Sequence, residues 1–268
     1  MTFRRFVASC IPPVIKNCVR PGEGSRWVGF YPTWSAASHR ADGYDQEAIL
    51  SRIELAVRQV LGGNGNYERD GIIFSDNAVR WPVVASILLA QANCPDLKIL
   101  DFGGSLGSLW LQHRGVLAGI KLDWRIIEQP AFVTRGRLLF PTGQPSFHGS
   151  PAEAFHLEAP SLAIFSAVLP YLQDPVAVIT QVKSMSPEYI LIDRTSVHTA
   201  STDRLSIQHV PATIYRASYP CWIFAKRHIP QLLESDYELV SEYPCEDRAN
   251  DPTITFVGWL FKRRSRQT

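Results

Sequence analysis

An excess of charge of either sign is missing from this chain of 268 residues: Lys and Arg number 27 against 25 for Asp and Glu, a formal balance of +2. So small a balance offers no field for nucleic acid, and the basic end KRRSRQT reads as a solvated tail. Cysteine is scarce as well. Cys10, Cys18, Cys94, Cys221 and Cys245 are odd in number and form no C-x-x-C pair. This argues against a disulfide framework and structural zinc, and suits a reducing, cytoplasmic setting. No apolar run reaches the roughly 18 residues that a spanning helix needs. In the opening MTFRRFVASCIPPVIKNCV, Arg4 and Arg5 precede an apolar stretch that Pro12 and Pro13 interrupt, with no A-x-A-like cleavage site after it. It reads as a poor signal peptide; its mixed basic and apolar residues suit either packing on its own domain or weak contact with a membrane surface. There is no internal repeat and no low-complexity segment.

What is present is apolar content of 46%, enough for one large core or one core with a small cap. Residues 1–96 read as a helical N-terminal cap. DQEAILSRIELAVRQVL sets Ile49, Ile53, Ala56, Val57 and Val60 on one face, with Asp45 as N-cap and Gly62-Gly63 as the stop. A second helix starts at Pro82 and carries Val84, Ile87 and Leu88 inward. From residue 97 to 268 the pattern becomes short apolar strands alternating with helices: LKILDF, LDWRIIE, SLAIFS, YILIDR, YELVSEY and TITFVGWLF. That order predicts an α/β fold with a mostly parallel sheet. The last two runs are too close for a crossover helix and should pair antiparallel. Residues 195–225, with two internal prolines, show no steady period and read as an irregular insertion at the ligand-binding end of the sheet.

The chemistry concentrates in DFGGSLG, Asp101 to Gly107, between a strand and a helix. A glycine turn brings backbone N–H groups close to a ligand, and the acid beside it selects the ligand's charge. Asp101 would repel a pyrophosphate and welcome an ammonium group. The dinucleotide fingerprint G-x-G-x-x-G is incomplete, because its first glycine falls on Phe102. The pattern acid-x-G-x-G-x-G of S-adenosylmethionine (SAM) methyltransferases fits at Asp101, Gly103 and Gly107, with Ser105 at its middle glycine. Glu128, 21 residues beyond Gly107, is placed to accept ribose hydroxyls in either cofactor class.

DFGGSLGS, WRIIEQP and IDRT, together with YERDG and QHVPATIYRASYPCWIF, resemble the group of SAM-dependent methyltransferases that share these motifs, over most of residues 27–260. The resemblance implies a Rossmann-like seven-stranded methyltransferase sheet with a C-terminal antiparallel hairpin. It places Asp101, Gly103, Gly104 and Gly107 around the methionine part of SAM, Glu128 and Gln129 around the ribose, and Ser166 and Leu169 beside the adenosyl group. The group's link with cell-surface polysaccharide genes points toward a sugar or another small polar acceptor.

Position alone nominates the acceptor side. His209 and Asp193 are candidates for proton removal, with Arg194, Tyr215 and Tyr219 as binding groups, since all lie at the IDRT strand end or beyond it. His209 serves equally as a hydrogen-bonded loop residue, Asp193–Arg194 as a structural ion pair, and the tyrosines with Trp222 as lid packing. Tyr31 and Trp34, in a polar aromatic cluster with Phe30 and Tyr44, suit a cleft cover or a sugar-binding face. Acids do not converge as a metal would require, so no metal is expected. A nicotinamide-dependent oxidoreductase and a non-catalytic SAM-binding or assembly protein in glycan synthesis are the rival readings.

Overall fold

The computed structural model describes residues 26–42, 46–156, 158–210 and 217–265. The N-terminal basic segment, Tyr44, Asp45 and Tyr215 lie outside these residues, so the expectations resting on them are carried no further. In chain order, β1 (Arg26–Val28), α1 (Trp34–Ser38), α2 (Gln46–Leu61), the hairpin β2 (Tyr67–Arg69) and β3 (Ile72–Phe74), and α3 (Trp81–Asn93) precede the main sheet. Three strands thus join the expected helices. Ile49, Ile53, Ala56, Val57 and Val60 are buried as their helical spacing requires, and so are Val84 and Ile87. Leu88 corrects the reading: it faces solvent at 49% exposure, because α3 buries the stripe through Val83, Val84, Ser86, Ile87 and Ala90 instead.

The sheet begins with β4 (Leu97–Phe102), then α4 (Ser108–His113), β5 (Leu122–Ile127), α5 (Pro130–Leu139), β6 (Ser146–His148), α6 (Pro151–Ala154) and β7 (Leu162–Ser166). A single 3₁₀ turn (Leu169–Tyr171) leads into α7 (Pro175–Ser184), β8 (Tyr189–His198), β9 (Arg204–His209) and β10 (Ser218–Ala225). The chain closes with α8 (His228–Leu233), β11 (Tyr237–Pro244) and β12 (Thr255–Arg263). Five strands run parallel in the order β6-β5-β4-β7-β8, β12 adds antiparallel to β8, and β11 pairs with β12. The central strands are nearly continuous apolar runs because helices cover both faces. Leu100, Phe165, Ile192 and Trp259 pack on one face. Ile99, Trp124, Ile164 and Leu191 pack on the other.

The described residues of the insertion at 195–225 form strands and their connections, not the irregular stretch expected. β8 outruns β7 by five residues, and its far end at Val197 and His198 receives β10, which carries β9 and β1 antiparallel beyond it. In RLSIQH only Leu205 and Ile207 mark the apolar face, while Ser206 and Gln208 are buried on the other, so the apolar alternation is too short to announce a strand. α2 packs against Leu106 in the glycine turn, Leu111 and Phe132, which sets β2 over the carboxyl ends of the parallel strands.

Candidate functional site

The ends of β4 and β7, with the middle of β8 beside them, open into a cavity of about 310 Å³, roofed by β2, the β9–β10 pair and the β11–β12 loop. Asp101, Gly103, Gly104, Ser105, Ser166, Arg194 and Tyr219 all line it. Open α/β sheets bind ligands at this end.

The glycine turn is shaped by contacts that only small residues tolerate. A Cβ on Gly104 would stand 2.5 Å from Asp101 Oδ2, so the turn folds directly over the carboxylate. Gly103 has φ +72°, and a side chain there would strike Val168. Ser105, at the usual middle glycine, takes φ +55°, and its N–H donates to Glu128 Oε1 at 3.2 Å. Its hydroxyl is buried without a hydrogen-bond partner. Asp101 is 1% exposed and accepts one hydrogen bond from the Trp124 indole N–H, at 3.0 Å. Burial pushes its carboxyl up to about 7, with Glu128 adding repulsion and the indole opposing. Glu128 also accepts from the Gln129 N–H at 2.8 Å; burial raises its pKa against the pull of these two N–H donors. Glu128 and Gln129 stand beside the turn, outside the cavity wall, as does Gly107, the left-handed N-cap of α4. Leu169 is buried in the core cluster behind the 3₁₀ turn.

The acceptor-side expectations need correction. Asp193 does not pair with Arg194. It is fully buried and accepts from Arg80 through both Nε (3.2 Å) and Nη2 (2.7 Å), from Ser166 Oγ (3.0 Å) and from the Tyr243 hydroxyl (3.0 Å). Both oxygens of this carboxylate are thus engaged by side chains from three other segments. Arg194 instead forms an ion pair with Asp247 through Nε and Nη2, at 2.6 Å for the shorter contact. His209 ends β9 between Gln208 and Val210. Those two line the cavity, and strand alternation turns His209 to the opposite face, with Leu205 and Ile207. That face also receives Tyr31 and Trp34. Trp34 stacks on Trp222 at 6.2 Å, so both aromatics pack the outer side of β9–β10 and do not reach the cavity. Tyr219 remains on the wall, edge to face with Tyr171 at 5.3 Å.

Sequence reasoning missed Glu68, Arg69, Arg80, Gln208 and Asp247, all on the wall. YERDG held the signal: three charged residues on a short hairpin with no charged partner at helical spacing. Glu68 is buried, accepts from Ser108 Oγ and from the Gly71 N–H at 3.0 Å, and is pushed up to about 7 by burial. Among the described residues no group of three or more His, Cys, Asp and Glu is placed to hold a metal, and no helix is long and apolar enough to cross a membrane.

No protein-family model and no curated protein sequence matches this chain. Among solved structures, the N-terminal domain of EvdMO1, crystallised in the presence of S-adenosylhomocysteine (SAH) and D-fucose, is similar with a TM-score of 0.50 and 14% identity, over 82% of this chain and 98% of that one. The N-methyltransferase NodS from Bradyrhizobium japonicum WM9, in complex with SAH, gives 0.45 and 15%, over 69% and 87%. A 1,6-didemethyltoxoflavin N1-methyltransferase from Burkholderia thailandensis, with its substrate and SAH, gives 0.42 and 14%, over 82% and 90%. Five parallel strands edged by an antiparallel pair, together with the first of these likenesses, make this the Rossmann-like methyltransferase fold.

Proposed function

We propose that this chain is a SAM-dependent methyltransferase acting on a small polar acceptor, with a sugar hydroxyl as the leading candidate. The observation that carries the reading is the buried Asp101 carboxylate under the Gly103–Gly104 turn, with Glu128 holding the same turn from the next strand end. The residues present fit the donor. Asp101 supplies a charge for its ammonium group, the buried and unpartnered Ser105 hydroxyl is a further polar contact, and Glu128 suits ribose hydroxyls. Similar folds crystallised with SAH, one of them in the presence of D-fucose, support both the donor and the sugar.

When bound, SAM supplies a methyl group already activated by the sulfonium. The chain's own task is then alignment and exclusion of water. Tyr171, Gln208 and Tyr219 provide a polar aromatic wall opposite the turn, with the Tyr171 hydroxyl donating to Gln208 Oε1 at 2.8 Å. With Asp193 saturated and His209 on the far face, positioning carries more of the rate than general-base catalysis in this reading.

Ligand-induced thermal shifts separate the rivals. SAM and SAH at a hundredfold over their Kd should stabilise the chain by about 2.7 kcal/mol, while NAD(P) leaves its Tm unchanged. Stabilisation by NAD(P) alone would establish the oxidoreductase reading. SAM binding with no transfer to any sugar, amine or acid acceptor would favour the non-catalytic one.

A further inference from the structure

Arg69, Arg80 and Arg194 all face the cavity. A fourth arginine on the wall, Arg248, is exposed to solvent; of the three set deeper, two are neutralised by their own carboxylates, Arg80 by Asp193 and Arg194 by Asp247. Arg69 is not. It is partly buried and, among the described residues, forms no ion pair and makes one hydrogen bond, from Nη2 to the neutral Gln112 Oε1 at 3.3 Å. Burial lowers its pKa, and the charges of Arg194 and Arg80 lower it further, as expected for a cation short of compensating charge. Of the acids around it, Asp247 serves Arg194 and Glu68 is bonded to Ser108 and the Gly71 N–H, while Asp70, exposed and next to Arg69 in the chain, forms no ion pair with it. A cation in this position is favourable only if an anion joins it, and a guanidinium fork matches the two oxygens of a carboxylate or phosphate.

We propose that Arg69 seats an anionic group of a molecule bound in this cavity. The group is either the carboxylate of the donor's methionine tail or an acid group on the acceptor. The first source rests on the SAM reading above; the second does not.

The test compares wild type with Arg69→Gln, using SAH, 5′-methylthioadenosine (which lacks the amino-acid tail), and inorganic phosphate or acetate at constant ionic strength. If the tail is the anion, Arg69→Gln weakens SAH by about tenfold to a hundredfold and leaves 5′-methylthioadenosine unchanged. If the acceptor supplies it, SAH affinity is unchanged, while phosphate or acetate raises the Tm of SAH-loaded wild type but not of the variant. Arg69→Lys, which keeps the charge and loses the fork, should fall between the two. Should Arg69→Gln fail to fold, Arg69→Met keeps the apolar stem and makes the same comparison. Equal response of wild type and variant to every probe overturns the proposal. Should wild type bind no SAH at all, the SAM reading fails separately, and the phosphate and acetate titrations of the ligand-free protein still decide the role of Arg69.

Discussion

Asp101→Asn is expected to make the ligand-free protein more stable at alkaline pH while weakening SAH binding. The carboxyl is held at about 7 in the fold, chiefly by burial, against about 3.9 in an unfolded chain. The folded state therefore holds the proton more tightly, and stability falls as pH rises from about 4 to 7; above 7 the full cost of the buried charge is present. Asparagine still accepts from the Trp124 indole but carries no charge. Wild type and variant should match near pH 4 and separate by on the order of 3 kcal/mol at pH 8, read from urea unfolding. Binding should run the other way. An ammonium group favours the ionised carboxylate, so wild-type affinity for SAH should rise between pH 6 and 7 and level off above. Asp101→Asn should lose about 1.5–3 kcal/mol of binding at pH 8 and show a flatter profile. Equal affinity at pH 8 would remove Asp101 from the donor site.

The second large effect concerns the anchor beneath the cavity. Asp193 is wholly buried and Arg80 only 15% exposed, and the pair ties the loop before α3 to the middle of β8, level with the end of β7. Asp193→Asn leaves a guanidinium with no opposite charge in that place, and should cost about 3–5 kcal/mol in urea unfolding. Removing both charges, as Asp193→Asn with Arg80→Met, should recover a large part of that loss, since the burden lies in the orphaned charge. A double variant as unstable as the sum of the two single ones would show that the pair's hydrogen bonds, more than its charges, hold the loop.

How far the sequence could be read depended on how local each signal is. LKILDF, LDWRIIE, SLAIFS and YILIDR are continuous apolar runs because both faces of the sheet are covered, and each is a strand. The glycine turn was legible because its backbone geometry demands particular residues: Gly104 lies against Asp101, and Gly103 takes a positive φ. The short strand β6 went unread, since Ser146–His148 buries only Phe147. The acceptor side was misread for a different reason. Partner choice there is settled by tertiary contacts that no spacing encodes: Arg80 reaches Asp193 across 113 residues, and Asp247 reaches Arg194 across 53. His209, expected in an irregular stretch, ends β9 on the face away from the cavity, and strand parity has no meaning until the strand itself is recognised.

Calorimetric titration of the intact chain with SAH at pH 7.5, beside Glu128→Ala, tests the central claim most directly. Glu128 holds the Ser105 N–H from outside the cavity wall, and in the proposed function it accepts the ribose hydroxyls, so its role depends on the donor lying across both strand ends. The account predicts a single site in wild type and affinity lower by tenfold or more in the folded variant. No binding heat in wild type, or equal affinity in Glu128→Ala, would contradict it.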